Sequence, residues 1–331
     1  MAERKWLLIA GAVLVLGLIA VVLIGTPAAW RAWLGVAVLA TAAPIGAIGW
    51  IMAMRLAVGD WTGPVAEACA AIAGRMPYAA LLFLPILIRP GLYPWVAHRP
   101  DTAFRAAWLS VPFFEARTIV WLIVMSLVGR AFASAQPSKP ASAVGIIALM
   151  LAASLMAIDW LASLDREFNS SGFGLYVIAL QFMAAMAMAT LAGRPEETHR
   201  AGALLFMMIL LWGYFAFMDY FIPWSGNLRA GMAWYLARQH GPWPWLMGLI
   251  ALDRMTVFFL LLFRHVRHSR QWMLTVSFAS LAATAGEFCW MAVPGSGAGP
   301  AAGVIFTVLA AAGLALSWPP RAAIPDRGGA A

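Results

Sequence analysis

Trp243 to Phe263 reads WPWLMGLIALDRMTVFFLLLF, an apolar run in which Asp253 and Arg254 are the only charged residues. A helix of roughly 20 apolar residues crosses the hydrocarbon core of a bilayer. A charged side chain at that depth costs a few kcal/mol or more unless it is paired or wetted. The segment therefore predicts an all-α, polytopic membrane protein, and it poses the question of what the intramembrane charges do.

Moving outward with a window of about 20 residues gives about ten spans. They are Trp6 to Ile24, Leu34 to Leu56, Glu67 to Ile88, Ala107 to Arg130, Ser142 to Leu164, Gly172 to Ala192, Ala201 to Ile222, Trp243 to Phe263, Trp272 to Val293 and Ala301 to Trp318. Arg75 and Pro77 interrupt the third, which reads as a broken helix. The run from Trp6 is long enough to span, and no small-x-small cleavage site follows it, so a retained first helix is expected in place of a signal peptide. Positions 1–331 thus form a single transmembrane helical domain, with a short, flexible Gly/Pro-rich tail over 319–331.

The composition agrees: 331 residues, 63% hydrophobic and 11% charged. A net charge of +8 would suit nucleic acid, but basic residues in short loops between apolar spans are what membrane topology requires, so no nucleic-acid partner is expected. With the N-terminus in the cytoplasm, Arg4, Lys5, Arg55, Arg75, Arg130, Lys139, Arg194, Arg200, Arg264, Arg267, Arg270, Arg321 and Arg327 fall on the inner side. Fewer fall outside: Arg31, Arg89, Arg99, Arg105, Arg166, Arg229 and Arg238. That excess places both termini in the cytoplasm. Trp224, Trp234, Trp243 and Trp245 bunch at the outer surface, as in an interfacial belt. The inner Arg264 to Arg270 loop, with His265 and His268, reads as a topology anchor beside anionic membrane lipid.

Cys69 and Cys289 are the only cysteines, which excludes a cysteine-ligated iron–sulfur cluster, a covalent haem attachment and a disulfide scaffold. No histidine stands within a span, so the paired intramembrane histidines that hold haem b are absent and no metal ligand set is expected.

Glu115, Asp159, Asp219, Asp253 and Glu287 all fall inside spans. A rise of 1.5 Å per residue puts Asp219 about 5 Å, Asp159 about 8 Å and Glu287 about 9 Å from the outer helix ends, with Glu115 near 12 Å and Asp253 near 15 Å. The acids form a candidate ladder for protons, opening to one side. Arg117 and Arg254 lie at similar depth, and neither is spaced to pair with the acid on its own helix, so Glu115 with Arg254 or Arg117 with Glu287 are the candidate cross-helix pairs. Tyr176, Gln181, Tyr214, Tyr220, Ser154, Ser163 and Thr190 are candidate relays. The competing reading makes these charges buried ion pairs that fix helix packing.

The most specific string runs Phe217-Met218-Asp219-Tyr220-Phe221-Ile222-Pro223-Trp224-Ser225-Gly226-Asn227-Leu228, followed by Trp234-Tyr235-Leu236-Ala237-Arg238 and Gly241-Pro242-Trp243. It resembles the signature after the seventh helix of the second quinone-binding-type membrane subunit of alternative complex III, the bacterial quinol:cytochrome c oxidoreductase. Ala157 to Asp165 is similar to that family's acid-Trp-x-x-Ser-Leu motif, and Leu92 to Trp95 and Phe113 to Arg117 to its segment around the fourth helix. One departure is Arg229-Ala230-Gly231, where the family usually carries Pro-Glu-Glu.

The resemblance implies the helix bundles of polysulfide-reductase (NrfD-like) membrane anchors in a bacterial inner membrane. It also implies a sister NrfD-like subunit and periplasmic iron–sulfur and multihaem cytochrome c subunits as partners. The activity implied is quinol oxidation or the proton movement coupled to it, with a quinone (menaquinone or ubiquinone) as the sole cofactor, none being bound covalently. Asp253, Glu115, Glu287, Asp159 and Asp219, with Arg117, Arg254 and Tyr220, would carry protons. Trp224, Ser225, Gly226 and Asn227 would shape a contact with an outer partner, Gly226 allowing a tight turn and Asn227 capping it. Two other readings stay open: a proton-coupled secondary transporter, and a purely structural anchor for peripheral redox subunits.

Overall fold

The computed structural model describes residues 2–57, 63–98, 102–193, 198–295 and 300–319, and every regular element among them is a helix. In chain order these are α1 (Ala2–Ile24), α2 (Pro27–Leu56), α3 (Gly63–Ala73), α4 (Met76–Ala80), α5 (Leu84–Ile88), α6 (Pro94–Ala97), α7 (Ala103–Trp108) and α8 (Val111–Ser134). There follow α9 (Lys139–Trp160), α10 (Phe173–Ala192), α11 (Thr198–Ser225), α12 (Arg229–Leu236), α13 (Trp243–Leu262), α14 (Arg264–His268), α15 (Arg270–Ala292) and α16 (Pro300–Ser317). Eight segments are long and apolar enough to cross a membrane: α1, α2, Val65–Ile88, α8, α9, α10, α11 and α13. The stretches expected as ninth and tenth spans are helical too; Ser277, Ser280, Thr284 and Glu287 make α15 more polar than the rest. Most of the expected tail lies outside the described residues, as does Arg99.

Caps set several helix starts. Thr26 accepts from the Ala29 N–H, Ser138 from Ala141 and Ser269 from Trp272, and Pro27 and Pro140 stand in the first turns of α2 and α9, where a missing N–H costs nothing.

The centre of the bundle is α2 packed on α10. The apolar window of α2 is 94% buried and that of α10 is 83% buried, against 17% for the peripheral α1. Gly46 is what lets these two backbones meet, since a Cβ there would stand 2.0 Å from the Gln181 carbonyl oxygen. Trp50 fastens the same contact by donating its indole N–H to the Phe182 carbonyl at 2.9 Å. Pro44 sits inside α2 and leaves the Ala40 carbonyl without its helical donor, and the Ser317 hydroxyl of α16 supplies the missing bond.

The third span is broken, as its sequence predicts. Helix α3 stops at Ala73, Gly74 and Arg75 turn the chain, and α4 restarts with Pro77 in its first turn. Gly129 of α8 seats the buried end of α3: a Cβ there would fall 2.3 Å from the Ala73 carbonyl.

Arg31 and Arg238, expected in outer loops, are buried instead. Arg31 lies in the first turns of α2, which begins at Pro27, well before the expected Leu34, and donates to the carbonyls of Pro294 and Leu164 at 2.8 and 3.0 Å. Arg238 donates to Trp290, Trp234 and Met291 carbonyls at 3.0, 2.6 and 2.8 Å and lies against the face of Trp234. The last carbonyls of a helix lack intrahelical donors and carry partial negative charge. A guanidinium answers both needs at the end of α15. Burial pushes Arg238 down to about 9, which still leaves it cationic at neutral pH.

Candidate functional site

Glu287, Asp219 and Asp159 gather near the bundle end where α9, α11 and α15 finish and α10 begins. All are buried, Glu287 and Asp159 completely. An ionised carboxylate out of water must find donors or a cation. Each of these finds both or one, by different means.

The Oε1 of Glu287 accepts from the Tyr176 phenol and from the Trp212 indole N–H at 2.6 Å, and Arg254 stands 3.4 Å from Oε2. Arg254 is itself fully buried and donates to the Ser280 carbonyl at 3.0 Å and the Thr284 hydroxyl at 2.9 Å. The pairing is therefore Arg254 with Glu287, not with Glu115, because α13 packs on α15. Arg254 also lies 3.7 Å from Asp253, its sequence neighbour, whose side chain is 21% exposed. Adjacent residues on a helix diverge, but the long guanidinium bends back across that angle.

Asp219 is held from two sides. Ser170, in the loop before α10, donates to Oδ1, and Tyr235 of α12 donates to Oδ2 at 2.8 Å. Tyr235 is in place because α12 folds back on α11, with Gly231 packed against Pro223. Burial and then the neighbouring Asp219 carboxylate raise the Tyr235 phenol, which keeps it protonated and a donor.

These groups frame a cavity of about 330 Å³ lined by Tyr176, Trp212, Tyr220, Tyr235, Trp290 and Arg238, among others. That volume falls within the range of small-molecule sites. Neither Glu287 nor Asp219 is among the lining residues; each accepts from a tyrosine that is, Glu287 from Tyr176 and Asp219 from Tyr235. Tyr220 lies edge-on to Tyr235 at 5.0 Å between ring centres. A second cavity, of about 460 Å³, adjoins the first through Asp219, because Ser170 lines it.

Asp159 belongs to a separate clamp. Arg117 reaches Oδ2 from Nε at 2.9 Å and from a terminal nitrogen at 2.8 Å, while the Trp108 indole donates to Oδ1 at 2.9 Å. The guanidinium also lies 4.1 Å from the centre of the Trp108 ring and 4.3 Å from that of Phe113. Arg117 thus pairs with Asp159 and not with Glu287. Trp108 and Ser163 connect this clamp to the wall of the second cavity, Ser163 donating to the Asp159 carbonyl at 2.5 Å. Glu115 is half-buried and joins neither group.

At the Trp224 to Asn227 turn it is Asn227 that adopts the left-handed conformation, with φ of 49°. Leu228 N–H bonds the Pro223 carbonyl at 2.9 Å and Asn227 N–H that of Trp224 at 3.3 Å, a Schellman-type end to α11. Gly226, expected to allow a tight turn, lies within that turn without a positive φ. Trp224, Ser225, Gly226 and Asn227 are all exposed.

The sequence reading omitted Ser170, Trp212, Tyr235 and Trp108 from the site. Of these, Tyr235 had a local signal, since it sits within the string that carries the family resemblance. No protein-family model matches the chain, and no curated protein matches it.

Proposed function

We propose that this chain is a membrane subunit of a quinol:electron-acceptor oxidoreductase of the alternative complex III type, and that its aromatic cavity receives the quinol head. One observation carries the reading: two tyrosines that line the same cavity, Tyr176 and Tyr235, each hydrogen-bond a buried carboxylate, Glu287 and Asp219. Oxidation of a quinol releases two protons and two electrons. Each phenol is positioned to take a proton from one quinol hydroxyl while passing its own to the carboxylate it bonds. The electron pair leaves to redox groups in the partner subunits, which the quinol reaction requires. From Asp219 the proton continues through Ser170 into the second cavity. Arg254 balances the charge that Glu287 carries between turnovers.

In this reading the chain crosses a bacterial inner membrane ten times in an NrfD-like arrangement, with both termini cytoplasmic and both cavities toward the periplasm. It assembles with a sister anchor and with iron–sulfur and multihaem cytochrome c subunits. Support comes from the resemblance of the Asp219 to Trp243 region and from the placement of the cavities at one end of the bundle.

The test is Glu287→Gln and Asp219→Asn in the intact complex. Loss of a positioned proton acceptor lowers rate by about 10²-fold or more, so quinol-dependent reduction of the acceptor should fall that far while the subunits still co-purify. Full turnover in both variants refutes the proposal. A proton-coupled transporter is the second reading, favoured by the broken Val65–Ile88 span. Isolation as a lone monodisperse chain, with no redox subunit attached, would favour it.

A further inference from the structure

The second cavity has a chemistry that the proton route does not use. Its rim carries Arg105, Arg166 and His98, and neither guanidinium makes a hydrogen bond or ion pair among the described residues. Asp165 also lines the cavity, its Oδ1 accepting from the N–H groups of Glu167 and Phe168 at 2.9 and 3.3 Å, and its single negative charge stands against the two of Arg105 and Arg166. The rim is therefore net positive. Its wall is apolar: Leu155 and Ile158 of α9 are 43% and 37% exposed.

Those two residues end a stripe. Val144, Ile147, Leu151, Leu155 and Ile158 share one face of α9 at spacings of three and four, and all are exposed. At 1.5 Å per residue the stripe runs about 21 Å, more than half of the roughly 30 Å hydrocarbon core. Phe104, stacked on Trp108 at the cavity mouth, is 74% exposed, as an interfacial aromatic would be.

We infer that this cavity and stripe are the seat of one anionic phospholipid, with its phosphate between Arg105 and Arg166 and an acyl chain along α9. A free phosphate would use the rim and leave the apolar wall and stripe without purpose. A zwitterionic lipid would bring its own cation to a rim that already holds two unpaired ones. The inference does not depend on the quinol reading.

Native mass spectrometry of the full chain released from nanodiscs of equal phosphatidylglycerol and phosphatidylcholine tests it. Basic residues at a membrane surface contribute enough each that two of them give about a thirtyfold preference for the anionic lipid. The wild-type chain should retain one phosphatidylglycerol with that order of selectivity, and R105Q/R166Q should lose it. Each single variant should lose roughly fivefold, which carries the test if the double variant does not fold. Excess inorganic phosphate should not displace the lipid. Equal retention of the two lipids by wild type, unchanged selectivity in the variants, or displacement by inorganic phosphate would each overturn the assignment.

Discussion

Tyr235 donates its phenol hydrogen to Oδ2 of Asp219 across 2.8 Å, and Ser170 reaches the other oxygen of the same carboxylate. One acid thereby joins two cavities, since Tyr235 lines the first and Ser170 the second. Tyr235→Phe keeps the ring and removes only the relay. Quinol-dependent turnover of this variant should drop by about 10²-fold, with a changed solvent deuterium isotope effect and a stability loss of about 1.5–3 kcal/mol for the donor taken from a buried carboxylate. An isotope effect and rate equal to wild type would show that protons leave by another way.

Arg117 and Asp159 form an ion pair in which Nε donates to Oδ2 and a terminal nitrogen stands 2.8 Å from the same oxygen, with Asp159 fully buried and Arg117 12% exposed. Removing one partner of such a pair strands the other charge and costs about 3–5 kcal/mol. Arg117→Ala should lower thermal stability accordingly, read as a fall in melting temperature in detergent. Asp159→Asn should leave turnover intact, because every oxygen of this acid is committed to the clamp. A turnover defect in a stably folded Asp159→Asn variant would put it back on the proton route.

Pro44 and Ser317 are coupled through the Ala40 carbonyl. Ser317→Ala should cost about 1–3 kcal/mol, the penalty for an unmade bond in a buried place. In a Pro44→Ala background the helix supplies its own N–H to Ala40, so the same substitution should cost less. A double-mutant cycle in chemical denaturation measures the difference, and strict additivity would contradict the coupling.

Tyr93 and Tyr235 lie outside the spans, and burial raises both phenols above their ordinary value of 10.0. The sign follows from linkage: above that value the unfolded chain loses protons that the native one keeps, so this contribution to stability is complete below about pH 10 and is lost as pH rises further. Melting temperature should fall through the alkaline range, and Tyr93→Phe should flatten the fall. Tyr93 donates to the Trp160 carbonyl at 3.2 Å, so Phe there also costs about 1 kcal/mol at neutral pH. A variant with the same alkaline slope as wild type would contradict this origin.

The helical class and most element positions were legible because an apolar run of bilayer length has few other solutions, and even the break at Gly74 and Arg75 was signalled by Pro77. The angle at which one helix faces another was not legible. That is why Arg117 was free to be matched with Glu287 and Arg254 with Glu115, when the actual partners are Asp159 and Glu287. Arg31 and Arg238 look like topology charges in one dimension; only the folded chain brings the carbonyl ends of α15 and of the Leu164 turn to them. The turn after α11 was legible in Gly226 and Asn227, but which of the two takes the left-handed conformation was not.

The most direct measurement is reaction-induced infrared difference spectroscopy on the intact complex as quinol is added, in H₂O and in D₂O. Protonation of Glu287 and Asp219 should appear as carboxylic C=O bands that shift on deuteration, one vanishing in Glu287→Gln and the other in Asp219→Asn. A wild-type spectrum with no carboxyl change during turnover, or bands that persist in both variants, would contradict the proposal that these two acids receive the protons of the quinol.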